Sequence, residues 1–438
     1  MNVYMFTNTF TPHVGGVARS VESFTAQFRQ AGHRVWVVAP EVEDSPANEV
    51  DVIRTPSIQN INGSEFSVPL PMPGILATTL TEFPPDIVHA HHPFLLGNTA
   101  LRVAARYAVP VVFTHHTLYD QYVHYLGGES LLLQRIAVEI AAGYCNLCSG
   151  VIAPSQSVAQ MLHEHGVSTE IEVIPTGVEP EKFQAGDPRH FRASHAIPES
   201  AFVVGHVGRL APEKNLEFLA AAVASFLQRR PDAHFLVVGD GPHSEPIERH
   251  FQERGLADRL HLAGTLCGEK LADAYQAMDV FAFSSQSETQ GMVLTEAMAA
   301  GVPVVAVSAP GVRDVVVDRR NGRLLPKESS EDFVAALEWV ANLDRAARRR
   351  MQTHLADTVE GFSLDQCAER VLNFYGRLRN QVDGNQAVDD SRWSAALRWI
   401  EEEWKILTHH ARAVGGALAD SYSESGSSAS APKPGSFP

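Results

Sequence analysis

Short apolar runs alternate with longer stretches of helical period along most of the chain, and this rhythm predicts the architecture. Val3–Phe6 and Val35–Val38 read as buried strands, with a helix over Val17–Ala31 between them that Gly32 closes. Val52–Ile53, Ile87–His89, Val111–Phe113 and Val151–Ala153 continue the series, with helical period over Thr99–Tyr107 and Leu131–Tyr144. Strands and helices that alternate in this way form a parallel sheet wrapped by helices. After Pro198 the same grammar restarts: strand Phe202–Val207, helix Leu216–Arg229, strand His234–Val238, helix His243–Arg254 and strand Leu260–Leu262. Further on, strand Val280–Phe283 leads into a helix over Gly291–Ala300 that Gly301 closes. The expected fold is therefore α/β, with two Rossmann-like domains over residues 1–185 and 186–380. A hinge is expected across Glu181–Pro198, where Pro180, Pro188 and Pro198 interrupt polar sequence. Helical stretches over Asp365–Gln381 and Ser391–Arg412 follow, giving a helical extension over 381–420. Residues 421–438 collapse to Ser, Gly, Pro and Ala, which cannot bury a core, and are expected to be disordered.

With 438 residues the chain has room for two domains of ordinary size. No apolar stretch approaches the length of a bilayer span, and Met1–Phe6 runs into a polar loop without a basic leader, so a cytoplasmic location is expected. A formal net charge of −16 disfavours nucleic acid as a partner and broad adhesion to anionic lipid. It leaves room for a local patch, and so for peripheral contact with a membrane. Cys145 and Cys148 are separated by two residues, while Cys267 and Cys367 stand alone. No second close pair completes a tetrahedral set, so the pair reads as structural and no metal site is expected.

Ligands of doubly wound sheets bind beyond the carboxyl ends of the strands, so chemistry-bearing residues there carry the most information. Glu288 falls in the turn after one strand, and Glu296 falls on the helix that follows, with seven residues between the two acids. A helix start presents unsatisfied N–H groups to phosphate or sugar oxygens, and carboxylates accept hydrogen bonds from hydroxyls. The amides of Gln290, Gly291 and Met292 lie at that junction. Taken alone, a Glu in a turn and a Glu on a helix are ordinarily just solvated. Gly15 and Gly16 open the first helix and would let main-chain N–H groups approach an anion closely, or would simply form a tight turn. Arg209 and Lys214 follow the strand ending at Val207, where a guanidinium fork and an ammonium can clamp a diphosphate. His115 and His116 end another strand, followed by Tyr119, Tyr122 and Tyr125, and His89, His91 and His92 form a further strand-end cluster, read as framework near the cleft.

The run Glu288-Thr-Gln-Gly, the second acid and Ala-Met-Ala-Ala-Gly-Val-Pro-Val-Val together resemble the signature of glycosyltransferase family 4, retaining enzymes of the GT-B fold. Gly208-Arg-Leu-Ala-Pro-Glu-Lys-Asn resembles that family's diphosphate-binding segment, and Gly15-Gly16 its glycine loop. The resemblance covers Met1 to about Tyr375. It implies two domains facing across a cleft, with C-terminal helices crossing back to the first. It also implies donor-binding roles for Gly15, Gly16, Arg209, Lys214, Glu288, Gln290, Gly291, Met292 and Glu296. Glu288 would bind donor-sugar hydroxyls, Glu296 the ribose, and Arg209 and Lys214 the departing diphosphate, without a metal or other cofactor. Thr114-His-His116-Thr-Leu-Tyr-Asp-Gln-Tyr-Val-His-Tyr is similar to the subgroup that glycosylates diacylglycerol, which places His116 in the donor-sugar and acceptor pocket as a catalytic candidate beside Arg209, Lys214 and Glu288. Thr289-Gln290-Gly291 replaces the commoner Gly-Phe-Gly and leaves the sugar open.

The expected partners are a UDP-sugar donor, UDP-glucose first, and a lipid or saccharide acceptor, such as diacylglycerol or an envelope precursor; the aromatic and apolar Leu118–Leu133 region reads equally as the face that meets a lipid or as an internal helix-packing surface. A GT-B epimerase and a non-catalytic sugar-nucleotide binder share much of this residue set and stand as alternatives.

Overall fold

The computed structural model describes residues 1–13, 15–43, 45–46, 48–58, 68–69, 73–118, 131–385, 398, 401–403 and 405–409. In the first lobe, β1 (Asn2–Phe6), β2 (Arg34–Pro40), β3 (Val52–Thr55), β4 (Ile87–Ala90), β5 (Val111–Thr114), β6 (Gly150–Ala153) and β7 (Ile171–Val173) form one parallel sheet in the order β3-β2-β1-β4-β5-β6-β7. In the second lobe, β8 (Phe202–Val207), β9 (Ala233–Val238), β10 (Leu260–Leu262), β11 (Val280–Phe283), β12 (Val304–Val307) and β13 (Gly322–Leu325) repeat the pattern as β10-β9-β8-β11-β12-β13. In both sheets the strand order reverses beside the first strand. That reversal opens the crevice in which doubly wound folds bind ligands.

Burial explains why short apolar runs suffice for these strands. Every residue of β4, β5, β6, β8, β11 and β12 is buried, so both faces are covered by helices and no polar alternation is needed. In the first lobe Tyr4 stacks on Trp36 with ring centroids 4.8 Å apart, and the Tyr4 hydroxyl reaches the Phe83 carbonyl at 2.7 Å.

The chain passes from the first sheet to the second between β7 and β8. The stretch expected to act as a hinge holds two short helices, Pro180–Gln184 and Pro188–Ser194, both packed against the Gly268–Gln276 helix of the second lobe. The return crossing is the Leu364–Asn385 helix, which packs on the Gly16–Gln30 helix and adds Val371, Phe374, Tyr375 and Leu378 to the first lobe's core. The predicted crossing back to the first domain is thus present. Of the extension, Ile406 is buried in the first lobe's other core layer, Arg102 pairs with Glu403, and His409 meets the Ile140 carbonyl at 3.0 Å. Of the extension and tail, residues 386–397, 399–400, 404 and 410–438 lie outside the described residues, as do Tyr119, Tyr122 and Tyr125. Among the described residues no helix is long and apolar enough to cross a membrane.

Candidate active site

The second lobe builds its half of the site from two strand ends. β11 terminates in Ser284 and Ser285, both fully buried, and the Ser284 hydroxyl reaches the Lys214 and Asn215 carbonyls at 2.9 and 3.0 Å. This fixes the loop after β8 against the loop after β11, and Lys214 Nζ then donates to Glu288 Oε1 at 2.6 Å. Both side chains are mostly shielded, at 17% and 14% exposure, so the pair works in a medium where its attraction is little screened. Arg209, four residues from Glu213 and paired with it, opens the same loop. The predicted cations and acids therefore share one strand-end face.

Gly291 starts the Met292–Ala299 helix with φ of 75°, in the left-handed region where any side chain is strained, so the backbone favours glycine there. That geometry turns the chain so that Glu296 points into the lobe boundary, where it is 3% exposed. Its Oε2 accepts a hydrogen bond from the wholly buried Tyr275 hydroxyl at 2.8 Å, and its Oε1 pairs with Arg19 of the opposite lobe. The buried Tyr275 hydroxyl, beside that carboxylate, is pushed well up from its ordinary pKa, first by burial, so it acts as a donor.

On the first lobe, Gly15 caps the Gly16–Gln30 helix in extended backbone, and a Cβ on Gly16 would meet no atom within 4 Å. Neither glycine has the positive φ of a tight turn, so the protein's own packing does not require Gly16 to lack a side chain. Behind it, β4 and β5 end in a histidine network. His116 Nε2 lies 2.9 Å from His91 Nδ1, while His89 spans the Thr114 hydroxyl at 2.7 Å and the Tyr375 hydroxyl at 2.5 Å. Burial lowers His89 and His92 to about 3 and His115 to about 4, and holds His91 and His116 well below the usual range. Near neutral pH His116 is therefore a neutral imidazole, one of whose nitrogens is already engaged.

Three contacts join the halves at the loop carrying the acids. The Thr289 hydroxyl donates to the His116 carbonyl at 3.1 Å. Gln290 Nε2 donates to the Thr176 carbonyl at 2.6 Å while its Oε1 accepts from the Thr176 N–H at 2.7 Å. Arg19 on Glu296 is the third. Gln290, foreseen for its main-chain amide, thus commits its side chain to the opposite lobe, and Met292 follows it as the first helical residue.

Sequence reasoning missed Arg19, Thr176 and Tyr275. Arg19 and Thr176 carried local signals, Arg19 lying three residues beyond Gly16 on the same helix end and Thr176 in the Ile174-Pro-Thr-Gly177-Val run that ends the first half. Cys145 and Cys148 are free thiols in the first lobe's core; burial raises Cys145 to about 12 and Cys148 well above its ordinary value. No group of three or more His, Cys, Asp or Glu among the described residues is placed to hold a metal ion. A cavity of about 380 Å³, lined by Gln27, Glu179, Met298, Gln352, Val359 and Leu364 among others, lies between the lobes without touching any of the site residues named above.

Two doubly wound sheets, with the predicted acids and cations gathered at the strand ends of the second and a glycine loop opening the first, define a glycosyltransferase of the GT-B class. Residues 14–182 match Glycosyltransferase Family 4, and residues 187–354 match Glycosyl transferases group 1. The alpha-monoglucosyldiacylglycerol synthase of Streptococcus pneumoniae is 27% identical over 402 residues, covering 89% of each chain. The GDP-mannose-dependent alpha-mannosyltransferase of Mycobacterium tuberculosis is 31% identical over 391 residues, covering 87% of this chain and 98% of its own. The structure of sucrose-phosphate synthase from Thermosynechococcus elongatus shares the fold with a TM-score of 0.71 at 21% identity, over 86% of this chain and 98% of that one. The chain belongs to the family 4 glycosyltransferases.

Proposed function

We propose that this enzyme transfers a hexose, with retention, from UDP-glucose to the hydroxyl of a glycolipid precursor of the diacylglycerol type. The carrying observation is the Lys214–Glu288 contact at 2.6 Å, with Arg209 on the same loop as Lys214 and Glu296 on the Met292–Ala299 helix that follows Glu288. Paired with each other, the cation and the carboxylate are mutually neutralised. With donor bound, Glu288 accepts hydrogen bonds from the sugar and Lys214 turns to the β-phosphate beside Arg209.

The bond from the anomeric carbon to the phosphate oxygen then breaks, and negative charge collects on the leaving diphosphate, where both cations stabilise it more in the transition state than before. The acceptor oxygen attacks from the same face as its proton passes to the departing phosphate. No protein nucleophile and no metal is called for. A neutral His116 serves as a hydrogen-bonding wall for sugar or acceptor rather than as a charged acid. The cross-lobe contacts hold the cleft closed, which keeps water from competing with the acceptor.

The synthase named above supports the lipid acceptor and glucose. The mannosyltransferase, at higher identity, supports a second reading in which GDP-mannose is the donor. Contact with a membrane at its cytoplasmic face is part of the lipid reading. Incubation with UDP-glucose or GDP-mannose, with and without diacylglycerol in mixed micelles, tests it by nucleotide release and by the anomeric configuration of the product. Release of UDP that depends on diacylglycerol and yields an α-glycoside supports the reading. Isomerised donor without an acceptor supports an epimerase, and binding without turnover a sensor.

A further inference from the structure

We propose that Arg19 is the resident partner of Glu296 in the donor-free enzyme and is displaced by the nucleotide ribose, so that this one residue of the opposite lobe sets donor affinity. The inference rests on the reading that Glu296 receives the ribose. Both oxygens of that carboxylate are already engaged, Oε2 by the Tyr275 hydroxyl at 2.8 Å and Oε1 by the Arg19 guanidinium. The Glu296 side chain is 4% exposed, so a ribose hydroxyl gains an oxygen only where a present partner gives way.

The two partners differ in their freedom to move. Tyr275 is completely buried in the second lobe's core, with its ring against Phe183 and Phe281. Arg19 reaches across the cleft from the first turn of the Gly16–Gln30 helix, and its side chain is 37% exposed. A long side chain with that much solvent access has room to swing away once another partner takes its place on the carboxylate, whereas the tyrosine cannot leave without opening the core. Arg19 also approaches from the cleft side, the side from which a donor arrives. In the resting state it neutralises a carboxylate that would otherwise sit desolvated and unpaired, which is costly. Binding then exchanges one partner for another instead of filling a vacant site, and part of the ribose's affinity goes into breaking the ion pair.

Calorimetric titration of UDP and of GDP into the full chain and its Arg19→Met, Arg19→Lys, Glu296→Gln and Arg19→Met/Glu296→Gln variants tests this. Methionine keeps the apolar stem and removes the competing charge. Arg19→Met is expected to bind the preferred nucleotide about fivefold tighter or more, the low end of coupling between interacting sites, and Arg19→Lys to fall between it and the parent. In the Glu296→Gln background the same change should alter affinity by less than about twofold, because the cycle removes the shared partner. The gain should also disappear with the 2′,3′-dideoxy form of that nucleotide, which has no hydroxyl to offer Glu296. Unchanged or weaker binding by Arg19→Met, or a gain that survives loss of the hydroxyls, overturns the exchange while leaving the donor site standing. Absence of binding of both nucleotides to every variant overturns the donor site as well.

Discussion

Lowering the pH from 7.5 to 5.5 perturbs one feature of this fold more than any other, its buried neutral histidines. His89 and His92 sit at about 3, and His115 and His206 at about 4, against an ordinary value near 6.5, and burial is the leading cause in each. A folded-state pKa below the unfolded value means that the unfolded chain binds more protons between the two. Stability from these groups is therefore complete above about pH 6.5 and is lost as pH falls from there toward 4 and 3. At pH 5.5 the folded state still holds essentially no proton on any of the four, so the cost is set by the unfolded chain alone, about 1.4 kcal/mol for each histidine relative to pH 7.5 and about 5–6 kcal/mol for the four.

His91 and His116 shift in the same direction. Glu402, raised mainly by burial, acts with the opposite sign, and Asp318, whose carboxyl ends below its ordinary value because Arg323 and the Leu324 N–H outweigh its burial, weakens the fold only at lower pH. Five of these six histidines lie in the first lobe and His206 alone in the second, so the first lobe should give way first. Urea titrations at pH 7.5, 6.5 and 5.5 measure this, in variants that keep only Trp36 of the five tryptophans to report the first lobe or only Trp339 to report the second. A fall smaller than about 1 kcal/mol, or equal losses in both lobes, would refute the reasoning.

Four further outcomes follow from the same geometry. Gln290→Ala leaves the Thr176 N–H and C=O without partners in the closed form only, a cost of about 1–3 kcal/mol; the donor KM should rise several-fold and the ligand-free radius of gyration by X-ray scattering should increase, and no change in either would show that the clamp carries no closure energy. Lys214→Met should cut kcat by about 10²–10³, as for removal of one stabiliser of transition-state charge, and should also lower thermal stability, because it leaves the shielded Glu288 carboxylate without its cation; steady-state kinetics at a temperature well below the measured melting point separate the two. Gly16→Ala meets no atom of the protein and replaces glycine in a helix, so Tm should hold or rise by the equivalent of up to about 1 kcal/mol. Activity should fall nonetheless, because the new methyl occupies space kept for the donor or acceptor; unchanged kinetics would return the position to plain helix chemistry. Finally, in the proposed mechanism Arg209 and Lys214 supply the positive charge, so EDTA should leave turnover unchanged; loss of activity restored by a divalent ion would contradict that assignment.

Local sequence was enough to determine a great deal. Parallel strands covered on both faces must be short and apolar, so β4, β5, β8 and β11 announce themselves without alternation, and the helix between β1 and β2 was placed within a residue at each end. The chemistry of the second lobe was equally local, because Arg209, Lys214, Glu288 and Glu296 each sit just beyond a strand end or on the helix that follows, and doubly wound sheets gather those ends on one side. The Leu96–Tyr107 helix starts three residues before the expected Thr99, because Leu95 adopts a positive φ that no composition rule marks.

What neighbouring residues could not encode are the partners brought in from far along the chain. Arg19 meets Glu296 across 277 positions, Gln290 meets Thr176 across 114, and Tyr375 meets His89 across 286. Each pair forms only because two separately folded sheets face each other and the last helix returns to the first lobe. Motif spacing thus settled which residues carry charge at the strand ends, whereas the packing of one lobe on the other decided which of those charges are already satisfied before a substrate arrives.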